Sequence, residues 1–263
     1  ASVAVAGGIA GRFAGNTVET TKASIIGGGL VGAYVDNKGG NATVGGIAST
    51  ALFGGTGGKN SVSAVGYLKG GGLVGAKSVW GHSSVGVVEG SFGGNQGDVG
   101  QYLCGGGVSG AVSVKTTASP PGGASTDAKI RGSASLGGFD GAVFARNAVT
   151  AGGKAVAANQ GWALGGVVAV TGLTADLSVK DTEFRDNTLI VESSAHRNAD
   201  VISGTFYIGT DRTAAPDTHT VEVTGNTVFH GNTVEDAHGK PASPFNSGRE
   251  FHMDPNDSAR LSR

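Results

Sequence analysis

The sequence predicts an all-β fold assembled from repeats. Three observations carry this reading. Glycine supplies 50 of the 263 residues. Short β-branched runs recur along the chain. Two small motifs return again and again between them.

The glycine content excludes a helical fold, because each glycine in a helix interior costs about 1 kcal/mol relative to alanine. Proline is scarce, with six residues, so the chain lacks the composition of collagen. Charged residues make up only 15%, and valine, alanine and isoleucine are abundant. Disordered chains have fewer apolar residues and a larger net charge. The formal net charge of −1 offers no electrostatic footprint for nucleic acid or an anionic membrane. No run of about 18 apolar residues exists, so no spanning helix and no membrane insertion of this segment are expected. One cysteine, Cys104, excludes an internal disulfide. That fits a cytosolic protein or a large exported one that avoids thiols. The chain opens at Ala1 with no basic and apolar leader, so any signal peptide is expected to be gone.

The strand candidates are SVAVA at 2–6, SVSAV at 61–65, AVSVK at 111–115, VVAVT at 167–171 and HTVEV at 219–223. Gly, Asn or Asp bounds each, which is the punctuation expected of strands. Between them, a glycine pair followed by an apolar residue recurs: Gly7-Gly8-Ile9, Gly28-Gly29-Leu30, Gly45-Gly46-Ile47, Gly71-Gly72-Leu73, Gly106-Gly107-Val108, Gly137-Gly138-Phe139 and Gly165-Gly166-Val167. Its intervals are roughly 17 to 35 residues. Phe-x-x-Asn recurs at 13–16, 92–95, 144–147, 184–187 and 229–232, with Tyr34 to Asn37 as an aromatic variant. Half of the ten phenylalanines sit three residues before an asparagine.

These glycine-pair and FxxN motifs resemble the repeats of polymorphic outer membrane proteins and related autotransporter passenger domains. The resemblance covers roughly residues 5–235, and its FxxN copies match best. The glycine-pair copies depart, since the family prefers alanine next and this chain has Ile, Leu, Val or Phe. The resemblance implies a right-handed parallel β-helix, a β-solenoid, exported to the surface of a Gram-negative bacterium. The family's membrane barrel is not in this sequence.

Solenoid physics gives each motif a job. Successive coils pair in register, with strands about 4.8 Å apart. At roughly 20 residues per coil, the chain makes about a dozen coils and a rod of roughly 50–60 Å. Corners require residues that tolerate positive φ, glycine first and asparagine next. The Phe of FxxN is expected to point inward and stack. The Asn is expected to turn the corner and to bond its own backbone or the Asn of the next coil.

GGGLVGA at 27–33 and 70–76 also fits G-x-G-x-x-G. A dinucleotide site would need a helix after the glycines and an acid about 20 residues on. AYVDNKGGNATVGG follows the first copy and cannot hold that helix, so these are read as repeated corners. Two stretches break the repeat. Residues 116–134, with Pro120-Pro121, read as a loop protruding from a β-helix of residues 1–234. Residues 235–263 are polar and charged and read as a C-terminal cap or linker tail. The bare ends suggest a fragment of a longer passenger.

The search for chemistry assigns no catalytic, cofactor-binding or metal residue. No nucleophile elbow, P-loop, H-E-x-x-H or C-x-x-C occurs. The densest acids are Asp181, Glu183 and Asp186 in DTEFRD. Carbohydrate-cleaving β-helices place paired carboxylates on one face, but these flank an FxxN phenylalanine and read as a solvated coil, with Arg185 and Arg197 as partners. His219, His230 and His238 would converge only if their coils stack, and are read with His82, His196 and His252 as solvated. Trp80 and Trp162 are either core residues or exposed platforms for a sugar or a protein. Cys104 reads as a small core residue.

The expected function rests on the resemblance and not on a site. It is a non-catalytic adhesin or surface structural protein, extracellular or on the outer membrane, contacting a host surface protein, a glycan or another copy of itself. The alternatives are a self-associating filament of a biofilm and a polysaccharide-degrading β-helix or phage tailspike.

Overall fold

A computed structural model describes residues 3–35, 40–79, 81–101, 103–104, 106–114, 133–152, 163–165, 168–171, 176–192, 202–203, 206–209, 220–236, 238, 251–253 and 260–262. The protein is a parallel β-helix. Among the described residues, every strand pairing is parallel, and each joins one coil to the next. Each strand returns to its neighbour only after a full turn, which is why contacting residues lie tens of positions apart in sequence.

Six sheets run along the axis. Sheet I begins with Val3–Ala6 and ends with Ser133–Leu136. Sheet II begins with Phe139–Asp140 and continues through Leu177–Lys180, Thr220–Thr224 and Arg260–Ser262. Sheet III stacks Arg12–Phe13, Leu52–Gly54, Ser91–Gly93, Val143–Ala145, Glu183–Arg185 and Val228–His230. Sheet IV stacks Thr17–Thr20, Ser61–Ala64, Gln96–Val99, Ala148–Ala151, Thr188–Val191 and Thr233–Asp236. Sheet V runs from Ile25–Ile26 to Ile202–Ser203, and sheet VI from Val31–Val35 to Phe251–Met253. The last two strands of the sequence, Phe251–Met253 and Arg260–Ser262, pair onto sheets VI and II. The loop expected at 116–134 falls outside the described residues except for Ser133 and Ala134, which belong to sheet I.

The coils are about twice as long as expected. The stacked asparagines are 44, 35, 52, 40 and 45 residues apart. Six strands in sheet III rise roughly 24 Å from first to last, at about 4.8 Å each. The expected dozen coils and 50–60 Å rod are therefore corrected. The cause is that each coil has two glycine corners, and the sequence intervals mixed them. One corner leads toward sheet III, where Ile9, Ile47, Val88 and Phe139 bridge in parallel. The other leads into sheet VI, where Gly29 N–H donates to the Gly72 carbonyl at 2.6 Å and Gly72 N–H to the Gly106 carbonyl at 3.0 Å. GGGLVGA is this second corner, as its repetition indicated.

The first corner needs glycine for space. A Cβ on Gly45 would lie 2.7 Å from the backbone of Gly7 and Gly8, and one on Gly137 would lie 2.7 Å from Val87 N. Backbone stacks on backbone there, so no side chain fits.

The interior is a set of columns. Phe13, Phe53, Phe92, Phe144, Phe184 and Phe229 stack with ring centroids 4.6, 4.5, 4.8, 5.2 and 4.8 Å apart, all within 8° of parallel. Phe139 packs edge-on against Phe144 and Phe184. Such pairs add about 0.5–1.5 kcal/mol each beyond area burial. Tyr34 does not join this column. It lies on sheet VI, 38% exposed, within the strand Val31–Val35.

Beside the rings runs the amide ladder. The side-chain Nδ2 of Asn16, Asn60, Asn95, Asn147 and Asn187 donates to Oδ1 of the next asparagine, ending at Asn232, at 2.8–3.0 Å. The second Nδ2 hydrogen reaches back to the phenylalanine carbonyl of the previous coil: Asn60 to Phe13, Asn95 to Phe53, Asn147 to Phe92, at 2.8–2.9 Å. The backbone N–H of each coil's asparagine also donates to the next Oδ1. Asn60, Asn95 and Asn147 are 0% exposed, so every polar atom of each amide is satisfied inside the protein.

One column is flawed. Ser109 replaces valine in the inward series Val31, Val74, Ser109, Val168. Its hydroxyl is buried without a hydrogen-bond partner. An unsatisfied buried polar atom costs about 1–3 kcal/mol. Ser109→Val is therefore expected to raise the urea midpoint, by about 1–2 kcal/mol of stability. Asn147→Ala strands the bonding groups of two neighbouring coils and is expected to cost about 2–4 kcal/mol in the same measurement.

Candidate functional site

The residue that turns the FxxN corner is not the asparagine. The position before it takes positive φ: 71° at Gly15, 65° at Gly94, 56° at Arg146, 53° at Asp186 and 65° at Gly231. A second left-handed column lies at the other end of sheet III, with Gly141 at 67°, Asp181 at 47° and Gly225 at 66°. Asparagine is thereby freed to point inward and bond.

These two columns account for most of the acidic cluster. Asp181 stands between Gly141 and Gly225 of the neighbouring coils and Asp186 between Arg146 and Gly231, and aspartate is one of the few side chains that tolerates this conformation. Asp181 Oδ1 accepts the Asn226 N–H at 2.8 Å. Each acid is also next to a cation. Arg185 Nε lies 3.3 Å from Glu183 and 3.9 Å from Asp186, and Lys180 Nζ lies 4.0 Å from Asp181 and 3.4 Å from Asp140. These pairs are half exposed and each is worth at most about 1 kcal/mol. Asp181 and Asp186 are thus corner residues, and the cluster is charge-balanced by Lys180 and Arg185.

Among the described residues, no three His, Cys, Asp or Glu side chains are placed to hold a metal ion. His230 and His238 are exposed. His219, His196, Arg197, Trp80 and Trp162 lie outside the described residues, as do Asn37 and Gly166-Val167 of the repeat motifs. Cys104 is a strand residue of sheet V paired with Lys69 and Leu164. Among the described residues, no helix is long and apolar enough to cross a membrane.

Among the described residues, a concave feature lies on sheet IV. Alternation in TVET, SVSA, QGDV and AVTA turns mostly valine, glycine or alanine inward, with Thr20 the exception, and mostly polar side chains outward, with Ala148 the exception. An open groove of about 560 Å³ results. Its floor has Glu19, Ser63, Asp98 and Thr150 in register, with Thr17, Ser61 and Gln96 in the parallel column. Glu192 stands at its rim. Lys59 Nζ donates to Gln96 Oε1 at 2.8 Å. The groove therefore repeats hydroxyl, amide and carboxylate groups about every 4.8 Å along the axis. It can accept hydrogen bonds from a polyhydroxylated or cationic ligand.

Sequence reading did not single out this groove. Its signal was the period-2 pattern of four separate tetrapeptides, which shows only once their register is known. Asn60 and Phe53 were missed too. In FGGTGGKN the short 3-10 turn Gly55–Gly57 separates them, so the pair does not read as FxxN. They nonetheless occupy the ring and amide columns.

No protein-family model, curated protein or solved structure matches the chain.

The corner account makes a direct prediction. Asp186→Gly is expected to leave stability within about 0.5 kcal/mol, and Asp186→Val to lower it by about 1–2 kcal/mol, because valine resists positive φ. Urea titration of both variants checks it.

Proposed function

We propose that the chain is a non-catalytic, autotransporter-like passenger rod, surface-exposed or secreted by a bacterium, that acts in adhesion or surface structure. The groove on sheet IV is its contact surface, and a glycan is the ligand its lining suits best. The observation that carries the reading is the groove's rigid lining. Hydroxyls, an amide and two carboxylates are displayed on strands tied into a six-strand ladder, with Glu192 just past one of them, so little ordering is needed on binding. The FxxN and glycine-pair repeats support the bacterial surface setting by resemblance.

A glycan array, followed by titration of the ligands it retains, tests the proposal. Asp98→Ala and Ser63→Trp are expected to weaken binding by at least about tenfold, the first by removing an acceptor and the second by filling the groove. Retention of no glycan, or full binding by both variants, contradicts it.

A further inference from the structure

The lining of the sheet IV groove discriminates among glycans. We propose that its ligand is a linear polymer of amino sugars whose amines are free and protonated. This rests on the glycan-binding role proposed above and names the class of glycan.

Affinity in this groove comes from polar groups. The lining holds no aromatic ring, and Ala148 is its one apolar side chain. An uncharged sugar ring therefore has no face to stack on. Hydrogen bonds and charge must supply the binding.

The charge is one-sided. Glu19, Asp98 and Glu192 line the groove, and no lining residue is cationic. Among the described residues, the ion pairs join Lys180 and Arg185 to Asp140, Asp181, Glu183 and Asp186. None of these pairs neutralises an acid of the groove. The Lys59 ammonium beside it is engaged by Gln96 Oε1 at 2.8 Å. The positive charge that balances three carboxylates is therefore left for the ligand to bring.

The spacing selects the polymer. Glu19 and Asp98 stand in one column, two strands apart, with Ser63 between them and Thr150 beyond. Glu192 is exposed and follows the fifth strand of sheet IV, on the face it shares with Ile190. Its N–H donates to the Ala151 carbonyl at 2.8 Å, which continues the ladder past the strand end. A carboxylate thus recurs at every second coil, roughly 9.6 Å apart along the axis, with a hydroxyl on the coil between. In a β-1,4-linked chain successive rings are turned over, so one edge presents an amine at every second sugar, a repeat of similar length. Sugar hydroxyls then fall opposite Ser63 and Thr150. An extended cationic peptide presents same-face side chains about every 6.8 Å and falls out of step with the acids. It would also find no pocket for an apolar anchor.

Calorimetric titration with a glucosamine hexamer and its fully N-acetylated counterpart is the test. The pH is set where the groove's carboxylates are ionised and the sugar amines protonated. The amine-bearing hexamer is expected to bind at least about tenfold more tightly, since each exposed charge pair is worth about two- to fivefold. Raising the salt from about 0.05 M to about 0.5 M should remove most of that preference. Glu19→Gln, Asp98→Asn and Glu192→Gln keep the shape and the hydrogen-bonding capacity of the lining. Each should weaken only the amine-bearing hexamer, by about two- to fivefold, and the triple variant should bind both hexamers alike. Equal or tighter binding of the acetylated hexamer overturns the inference and leaves the glycan-binding role standing. Tighter binding of a lysine hexamer than of the glucosamine hexamer overturns it in favour of a peptide. Binding of neither hexamer overturns it as well, and the wider role falls with it only if the glycan array also retains nothing.

Discussion

The constraint on which the rest depends is that every coil must place one asparagine amide directly over the next. A solenoid has no central long-range core, and each coil contacts only its neighbours. Register must therefore be set locally and repeatedly. Valine columns alone specify register weakly, since one apolar side chain substitutes for another. The amide ladder does not permit a slip. Displacing a coil by one residue would bury the donors and acceptors of an asparagine without partners and would turn the phenylalanine outward. The ring stack and the amides share a corner, so one feature holds both the apolar interior and the polar turn.

Coil length follows from the same constraint. Only the corner must recur, so the segments between corners vary from 35 to 52 residues without disturbing the stack. Insertions such as Gly55–Gly57 are absorbed between the ring and the amide, and the side chains at both ends stay in their columns. The left-handed position before the asparagine of each FxxN copy is less demanding. It accepts glycine in most coils, and arginine or aspartate in two. That tolerance is the physical origin of Asp186, and a similar one explains Asp181. Two of the three acids that cluster in sequence thus belong to different corners of one sheet.

Much of the fold was legible in the sequence. FxxN marked five of the six ring-and-amide pairs because phenylalanine and asparagine are uncommon enough here to stand out. The inward ring and the amide ladder followed from the physics of stacked coils. Coil length was not legible, since glycine pairs mark two different corners and sequence distance cannot tell them apart. The turning residue was misassigned to asparagine because asparagine and its predecessor both tolerate positive φ, and only a three-dimensional accounting shows that the amide is needed inside. The sheet IV groove was illegible for another reason. Glu19, Ser63 and Asp98 carry no mutual signal until the register brings them into line.

Native-state hydrogen exchange at the backbone amides of Asn60, Asn95, Asn147 and Asn187 tests the central claim most directly. These N–H groups donate to the Oδ1 of the next asparagine at 3.1–3.3 Å. If the ladder governs the stack, they exchange only through opening of whole coils, with free energies matching those of the phenylalanine-column strands. Exchange through local opening, several kcal/mol easier than the strands, would contradict the account.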